Sequence, residues 1–323
     1  PGRDICLDGD NATIDALLER NEAVLEKVYP TKVSEKAAEI PVFGFTGGCS
    51  KAPAVRVAKP KVLIPVFPGT NCEYDSAKAM MNAGADAEIV VIRNLTADDV
   101  ARSVDTVATK IAESQMIFIP GGFSGGDEPD GSAKFITAFF RNPAVKEQVT
   151  RLLDDRDGLM LGICNGFQAL IKLGLVPYGK IIDTDDTCPT LTFNTIARHQ
   201  SKLVRTRVCT NNSPWLAGCE VGEIYTVPIS HGEGRFFASE DLALQLAANG
   251  QIATQYVDLK GDPTMDTAFN PNGSLFAIEG ITSPDGRVLG KMGHSERWLP
   301  GLYRNVPGEY DMKLFQSGVK YFK

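Results

Sequence analysis

At 323 residues, with 43% hydrophobic and 23% charged side chains, the chain has the balance of a soluble globular protein with one large domain or two ordinary ones. A formal charge of −7 without any dense Lys/Arg run argues against a nucleic-acid partner, and no apolar stretch approaches the roughly 18 residues needed to span a bilayer. Seven dispersed cysteines without a C-x-x-C pair suggest neither a disulfide framework nor a metal site, and fit free thiols in the cytoplasm. The opening PGRDICLDGD lacks a signal-peptide pattern, and its start on Pro1 rather than Met suggests a piece of a longer chain.

In chain order, apolar residues at helical spacing predict an amphipathic helix over 11–29, after an Asn/Asp-rich start. The stretch VFGFTGGCSKAPAVRVAKPK mixes Gly, Pro and Lys without a period and reads as a linker or extended strap. The main boundary is expected near residue 59, dividing residues 1–58 from a domain over 59–323. From Lys61, apolar runs alternate with helical patterns: KVLIPVF, a helix over 73–83, AEIVVIR, a helix over 97–113, MIFIP, helices around 132–153, and GLMLGI. Runs buried on both faces and alternating with helices imply parallel βαβ units and a doubly wound α/β sheet. After Leu175 the chain turns β-rich, and SPDG between two strand-like runs predicts a hairpin.

The segment Gly162-Ile163-Cys164-Asn165-Gly166 has the G-x-nucleophile-x-G form of a strand-to-helix elbow, flanked as such an elbow requires. A cysteine at a helix N-terminus gains from the dipole, which favours the thiolate, and the following N–H of Asn165 can donate to an oxyanion. The alternative for Cys164 is a small apolar residue filling a core. A base must come from His199, His231 or His294. His231 and His294 each precede a carboxylate by two residues, so local chemistry does not separate them. His294 follows the second hairpin arm, which would deliver it at a sheet edge. His231, in SHGEGRFF, reads as a loop residue, and His199 lacks a nearby carboxylate. The loop IPGGFSGGDEPDGS follows an apolar strand, where a glycine N–H at Gly121 or Gly122 can approach a ligand, but it carries no phosphate-binding motif.

Together, FPGTNCEYDSA, IPGGFSGGDE, GICNGFQAL, TLTFNTIARHQS, SHGEGRF and GKMGHSERW resemble the class I glutamine amidotransferase domain of the phosphoribosylformylglycinamidine synthases, over roughly residues 59–323. The resemblance implies a flavodoxin-like, doubly wound, mostly parallel sheet with an added β-rich section. It implies that Cys164 attacks the side-chain amide of L-glutamine, with His294 and Glu296 completing a triad. Serine stands at 295 where the family's H-P-E has proline, which puts the local backbone in question more than the chemistry. By position, Gly122 and Asn165 become the oxyanion hole, and Gln168, Asn194 and Arg198 fall near the glutamine pocket. The resemblance implies no metal or cofactor in this domain; ATP and Mg belong to the formylglycinamidine synthetase domain of the same large parent chain, whose end residues 1–58 would represent. A cysteine hydrolase or peptidase and a silent docking domain are the competing readings.

Overall fold

The computed structural model describes residues 4–28, 40–49, 52–123 and 132–323. At the N-terminus β1 (Asp4–Leu7) and β2 (Asp10–Thr13) form an antiparallel hairpin leading into helix α1 (Ile14–Glu26). The helix begins later than its apolar spacing suggests because residues 10–13 pair with β1, and Thr13 caps the first turn by accepting from Ala16 N–H. Leu17, Leu18, Val24 and Leu25 of α1 remain exposed, and no residue of this helix is buried. Tyr29, the last residue of the expected helix, lies outside the described residues.

The strap that follows does not float in solvent. Phe43 is buried, its N–H donating to the Gln255 side chain, and Phe45 pairs with Thr210.

The main body is built on β3 (Lys61–Val66), α2 (Glu73–Asn82), β4 (Asp86–Val91), α3 (Ala97–Glu113), β5 (Met116–Ile119), α4 (Lys134–Phe140), α5 (Pro143–Asp154), β6 (Leu159–Ile163) and α6 (Asn165–Leu173). Then come α7 (Leu175–Tyr178), β7 (Thr190–Phe193), β8 (Gln200–Val208), β9 (Ile224–His231), β10 (Glu233–Phe237), α8 (Glu240–Ala248), β11 (Ile252–Val257), β12 (Ile278–Thr282), β13 (Val288–Lys291) and α9 (Leu314–Tyr321). Among the described residues, nine strands form one sheet in the order β4-β3-β5-β6-β13-β12-β11-β8-β9. The first five are mutually parallel, and the remainder are joined by antiparallel pairs. Only β12 and β8 oppose the common direction, so the sheet is mostly parallel with a β-rich extension.

Numbered among themselves, the parallel strands read 2-1-3-4-5, the flavodoxin-like order. β5 and β6 are wholly buried apolar runs, as strands covered on both faces must be. SPDG closes the β12–β13 hairpin: Ser283 N–H bonds Val288 O, and Gly286 takes φ +73° at the turn. That hairpin inserts β13 beside β6, in the middle of the sheet.

Strand order reverses between the parallel strands β3 and β5, so the carboxyl ends of those strands open the crevice in which such sheets bind ligands. The loops after β3, β5, β6 and β13 all emerge at this end. They carry Cys72, Gly121, Cys164 and His294 respectively.

Candidate active site

Cys164 sits between β6 and α6 with φ +53° and ψ −107°, a strained conformation that costs on the order of 1–3 kcal/mol and persists only when its surroundings enforce it. Its N–H bonds Lys291 O at 2.9 Å, and its carbonyl accepts from Gln168 N–H at 3.0 Å. The two glycines of the elbow have a packing role beyond the turn. A Cβ on Gly162 would lie 2.6 Å from Gly166 C, and a Cβ on Gly166 would overlap Ile119 O, so strand and helix touch backbone to backbone. One turn along α6, fully buried Phe167 fills the space left by Gly290 on β13. Burying that ring contributes roughly 1.5–3 kcal/mol and fixes the thiol beside the strand that delivers the histidine.

His294 follows β13 at the carboxyl end of a central strand. It is not at a sheet edge, because β12 pairs on the far side of β13. The imidazole is 1% exposed and its Nδ1 lies 2.6 Å from Glu296 Oε1. With Nδ1 engaged by the carboxylate, Nε2 is the nitrogen left to take a proton, and it has no hydrogen-bond partner among the described residues. The imidazole and thiol are neighbours across Gly121: a Cβ there would lie 2.7 Å from His294 Cε1 and 3.5 Å from Cys164 Cβ.

The thiol does not bond the imidazole; it donates to Ser230 O at 3.6 Å. Nor is it a resting thiolate. Burial pushes its pKa far up, Cys72 and Glu296 push the same way, and the opposing help from Arg297 and the Asn165 backbone N–H does not offset them. The expectation that the helix dipole would favour the thiolate is therefore corrected: desolvation at a 4% exposed site wins.

His231 lies at the end of β9, not in a loop, and only Gly232 separates it from β10. It is 1% exposed with both ring nitrogens unpartnered among the described residues; burial, then the neighbouring His294, lower its pKa to about 3. It stays neutral across the physiological range and has no carboxylate partner among the described residues, whereas His294 has one. His199 is more exposed and bonds Ser230 Oγ at 3.0 Å.

Gly122 takes φ +153°, and a Cβ there would lie 2.5 Å from Gly69 O, so only glycine fits against the loop after β3. Its bridge to Thr70 is flanked by Phe123 N–H to Gly69 O and Asn71 N–H to Gly121 O. The rest of the glycine loop, 124–131, lies outside the described residues. Asn165 N–H reaches the Cys164 sulfur.

Gln168 and Asn194 converge on the His231–Gly234 segment. Gln168 Nε2 donates to Glu233 O at 2.5 Å while its Oε1 accepts from Asn165 Nδ2, and Asn194 Nδ2 donates to His231 O at 2.9 Å. Arg198 lines a surface pocket with Ile196, Gln200 and Lys202, apart from Cys164, His294 and Glu296.

Sequence reasoning passed over two residues. Cys72 is fully buried with its Sγ 4.0 Å from His294 Nδ1, and Arg297 Nη2 donates to that sulfur at 2.8 Å. Both stand in the motifs FPGTNCEYDSA and GHSERW, where a cysteine in a crevice loop and a cation beside Glu296 were the available signals. Cys72, His294 and Glu296 bring three candidate metal-ligand atoms within 4.8 Å of one another. The His–Glu hydrogen bond and the guanidinium on Cys72 instead suit proton transfer, since a cation there would displace the first and meet the charge of the second.

A buried thiol on a strained elbow, an imidazole oriented by a carboxylate and a glycine loop at the crevice of a flavodoxin-like sheet define the class I glutamine amidotransferases. The chain belongs to the family of the CobB/CobQ-like glutamine amidotransferase domain, whose profile matches residues 59–322. It is 35% identical over 257 residues to the phosphoribosylformylglycinamidine synthase subunit PurQ of Methanococcus maripaludis, covering 79% of this chain and 87% of that protein. The PurQ subunit of Salinibacter ruber is 32% identical, covering 79% and 93% respectively. Among solved structures, a chain from "Structure of PurLQS from Thermotoga maritima" superposes with a TM-score of 0.58 at 27% identity, covering 82% of this chain and all of that one.

Proposed function

We propose that this chain is the glutaminase unit of a phosphoribosylformylglycinamidine synthase, hydrolysing L-glutamine to glutamate and ammonia through Cys164, His294 and Glu296. The observation that carries the reading is the buried His294–Glu296 hydrogen bond, with the imidazole next to the elbow cysteine across Gly121 and its Nε2 unpartnered among the described residues. The resting thiol is protonated, so the chemistry begins when glutamine enters and His294 Nε2 accepts the thiol proton. The sulfur adds to the amide carbon, and the oxyanion is received by the N–H groups of Asn165 and Gly122. Protonated His294 returns its proton to the departing ammonia, leaving a glutamyl thioester. His294 then activates the water that releases glutamate. Glu296 holds the tautomer and stabilises the imidazolium.

Gln168 and Asn194 shape the pocket through the backbone of residues 231–234, and Arg198 is joined to them through its carbonyl, which accepts from Asn194 Nδ2. Ammonia passes to a formylglycinamidine synthetase that uses ATP and Mg, which is the partner, in the cytoplasm. Residues 1–58 join the glutaminase domain at 59–323 to that synthetase in one parent chain. The names of the PurQ relatives and of the PurLQS assembly support a synthetase partner.

The test is ammonia release from glutamine, with and without a purified formylglycinamidine synthetase partner. His294→Ala abolishes release and His231→Ala only weakens it. The reverse ranking would overturn the assignment of the base, and release indifferent to the partner would remove the ammonia-transfer step.

A further inference from the structure

Lys291 and Glu279 are 1% exposed, belong to neighbouring strands, and take no part in the chemistry described above. A buried ion pair is a poor source of stability, because desolvating two charges costs about as much as their attraction returns. This pair is satisfied almost entirely by the segment that carries the base. Lys291 Nζ donates to Gly293 O at 2.9 Å and to Ser295 Oγ at 3.2 Å, and lies 3.5 Å from Glu279 Oε1. Glu279 Oε1 accepts from Gly293 N–H at 2.5 Å, while Thr254 Oγ1 donates to Oε2.

The space for the pair is made by glycines. A Cβ on Gly293 would lie 3.0 Å from Glu279 Oε1, and one on Gly280 would lie 3.0 Å from both Lys291 Cβ and Thr254 Oγ1. Both residues flanking His294 are thus tied to one buried charge pair. His294's own N–H is tied to Pro228 O at 2.8 Å.

We infer that Lys291 and Glu279 are positioning residues that clamp the Gly293–Ser295 backbone and thereby hold the His294 imidazole toward Cys164. The clamp does the work that a rigid residue at position 295 would otherwise do, because serine leaves that backbone free to turn. The inference rests on His294 being the base.

The test is inactivation of the full chain by the glutamine analogue 6-diazo-5-oxo-L-norleucine, with KI and kinact measured across pH and incorporation counted per chain. Lys291→Met/Glu279→Gln removes both charges while keeping side-chain volume. It lowers kinact about tenfold or more, as expected for a base displaced by a fraction of an ångström, and leaves KI within about twofold. The pH midpoint of kinact moves upward, because a thiol without an aligned base gives up its proton less readily; a merely structural role would lower the incorporated fraction and leave that midpoint in place. Ser295→Ala, which removes one tie and keeps the ion pair, lowers kinact several-fold at unchanged KI and decides the matter if the double variant does not fold. Unchanged kinact and midpoint in whichever variant folds would overturn the clamp. His294→Ala is run alongside: loss of inactivation there with full activity in the clamp variants removes the clamp alone, while full inactivation of His294→Ala removes the assignment of the base and the clamp with it.

Discussion

Gly121→Ala places one methyl group in the gap between the imidazole and the thiol. The new Cβ would lie 2.7 Å from His294 Cε1 and 3.1 Å from Cys72 Sγ. The first contact is about 0.7 Å short of ordinary carbon–carbon separation, and neither neighbour is the loose end of a flexible chain. The imidazole is held by Glu296 and Cys72 by Arg297, so the ring must retreat from Cys164 by most of that distance. Such a displacement of a base costs about ten- to a hundredfold in kcat. Overpacking costs about 1–3 kcal/mol of stability, which for a domain of this size lowers Tm by roughly 2–10 °C without unfolding it. Glutamine hydrolysis and thermal unfolding are measured side by side, with Gly44→Ala as the control because its nearest atom, Val221 Cγ1, is 3.7 Å away. The expected result is a fall in kcat with KM nearly unchanged in Gly121→Ala and wild-type behaviour in Gly44→Ala. A Gly121→Ala enzyme with wild-type kcat would refute the placement of His294 across that gap.

Two pH dependences follow from burial. His231 titrates at about 3 in the fold against 6.5 in an unfolded chain, so the unfolded state takes up the proton first, and the stability this group contributes above pH 6.5 is lost as pH falls toward 3. Each pH unit in that window costs up to about 1.4 kcal/mol, and the urea midpoint of His231→Gln should fall less steeply there than wild type; parallel curves would contradict the buried, neutral assignment. At the alkaline side, burial raises Cys209 to about 12 from 9.0, so the stability it contributes is present below pH 9 and lost as pH climbs toward 12. Cys209→Ala should flatten the alkaline limb of the stability curve, and an unchanged limb would exclude this thiol as a cause.

The parallel half of the sheet was legible because short continuous apolar runs such as MIFIP and GLMLGI have the pattern of strands covered on both faces, and the helical periods between them imply parallel crossovers. The hairpin at SPDG was legible from turn chemistry alone. What the sequence did not convey was where that hairpin goes. Nothing local says that β13 inserts beside β6, yet that pairing takes His294 from a supposed edge to the centre of the sheet. His231 looked like a loop residue because glycine surrounds it, although β9 runs through it. The state of the thiol was misjudged for a related reason. The helix dipole is a local property and can be read from a motif, whereas desolvation depends on how many distant segments close over the site. Cys72 and the Lys291–Glu279 pair were missed because only tertiary packing brings them to His294.

The central claim is that one thiol of seven is the nucleophile, although Cys72 lies just across the same histidine. Mass-spectrometric mapping of the chain after a single equivalent of 6-diazo-5-oxo-L-norleucine tests this directly. The account predicts modification of Cys164 alone, prevented by excess glutamine and absent in His294→Ala. Label on Cys72, or label spread over several cysteines without protection by glutamine, would contradict it.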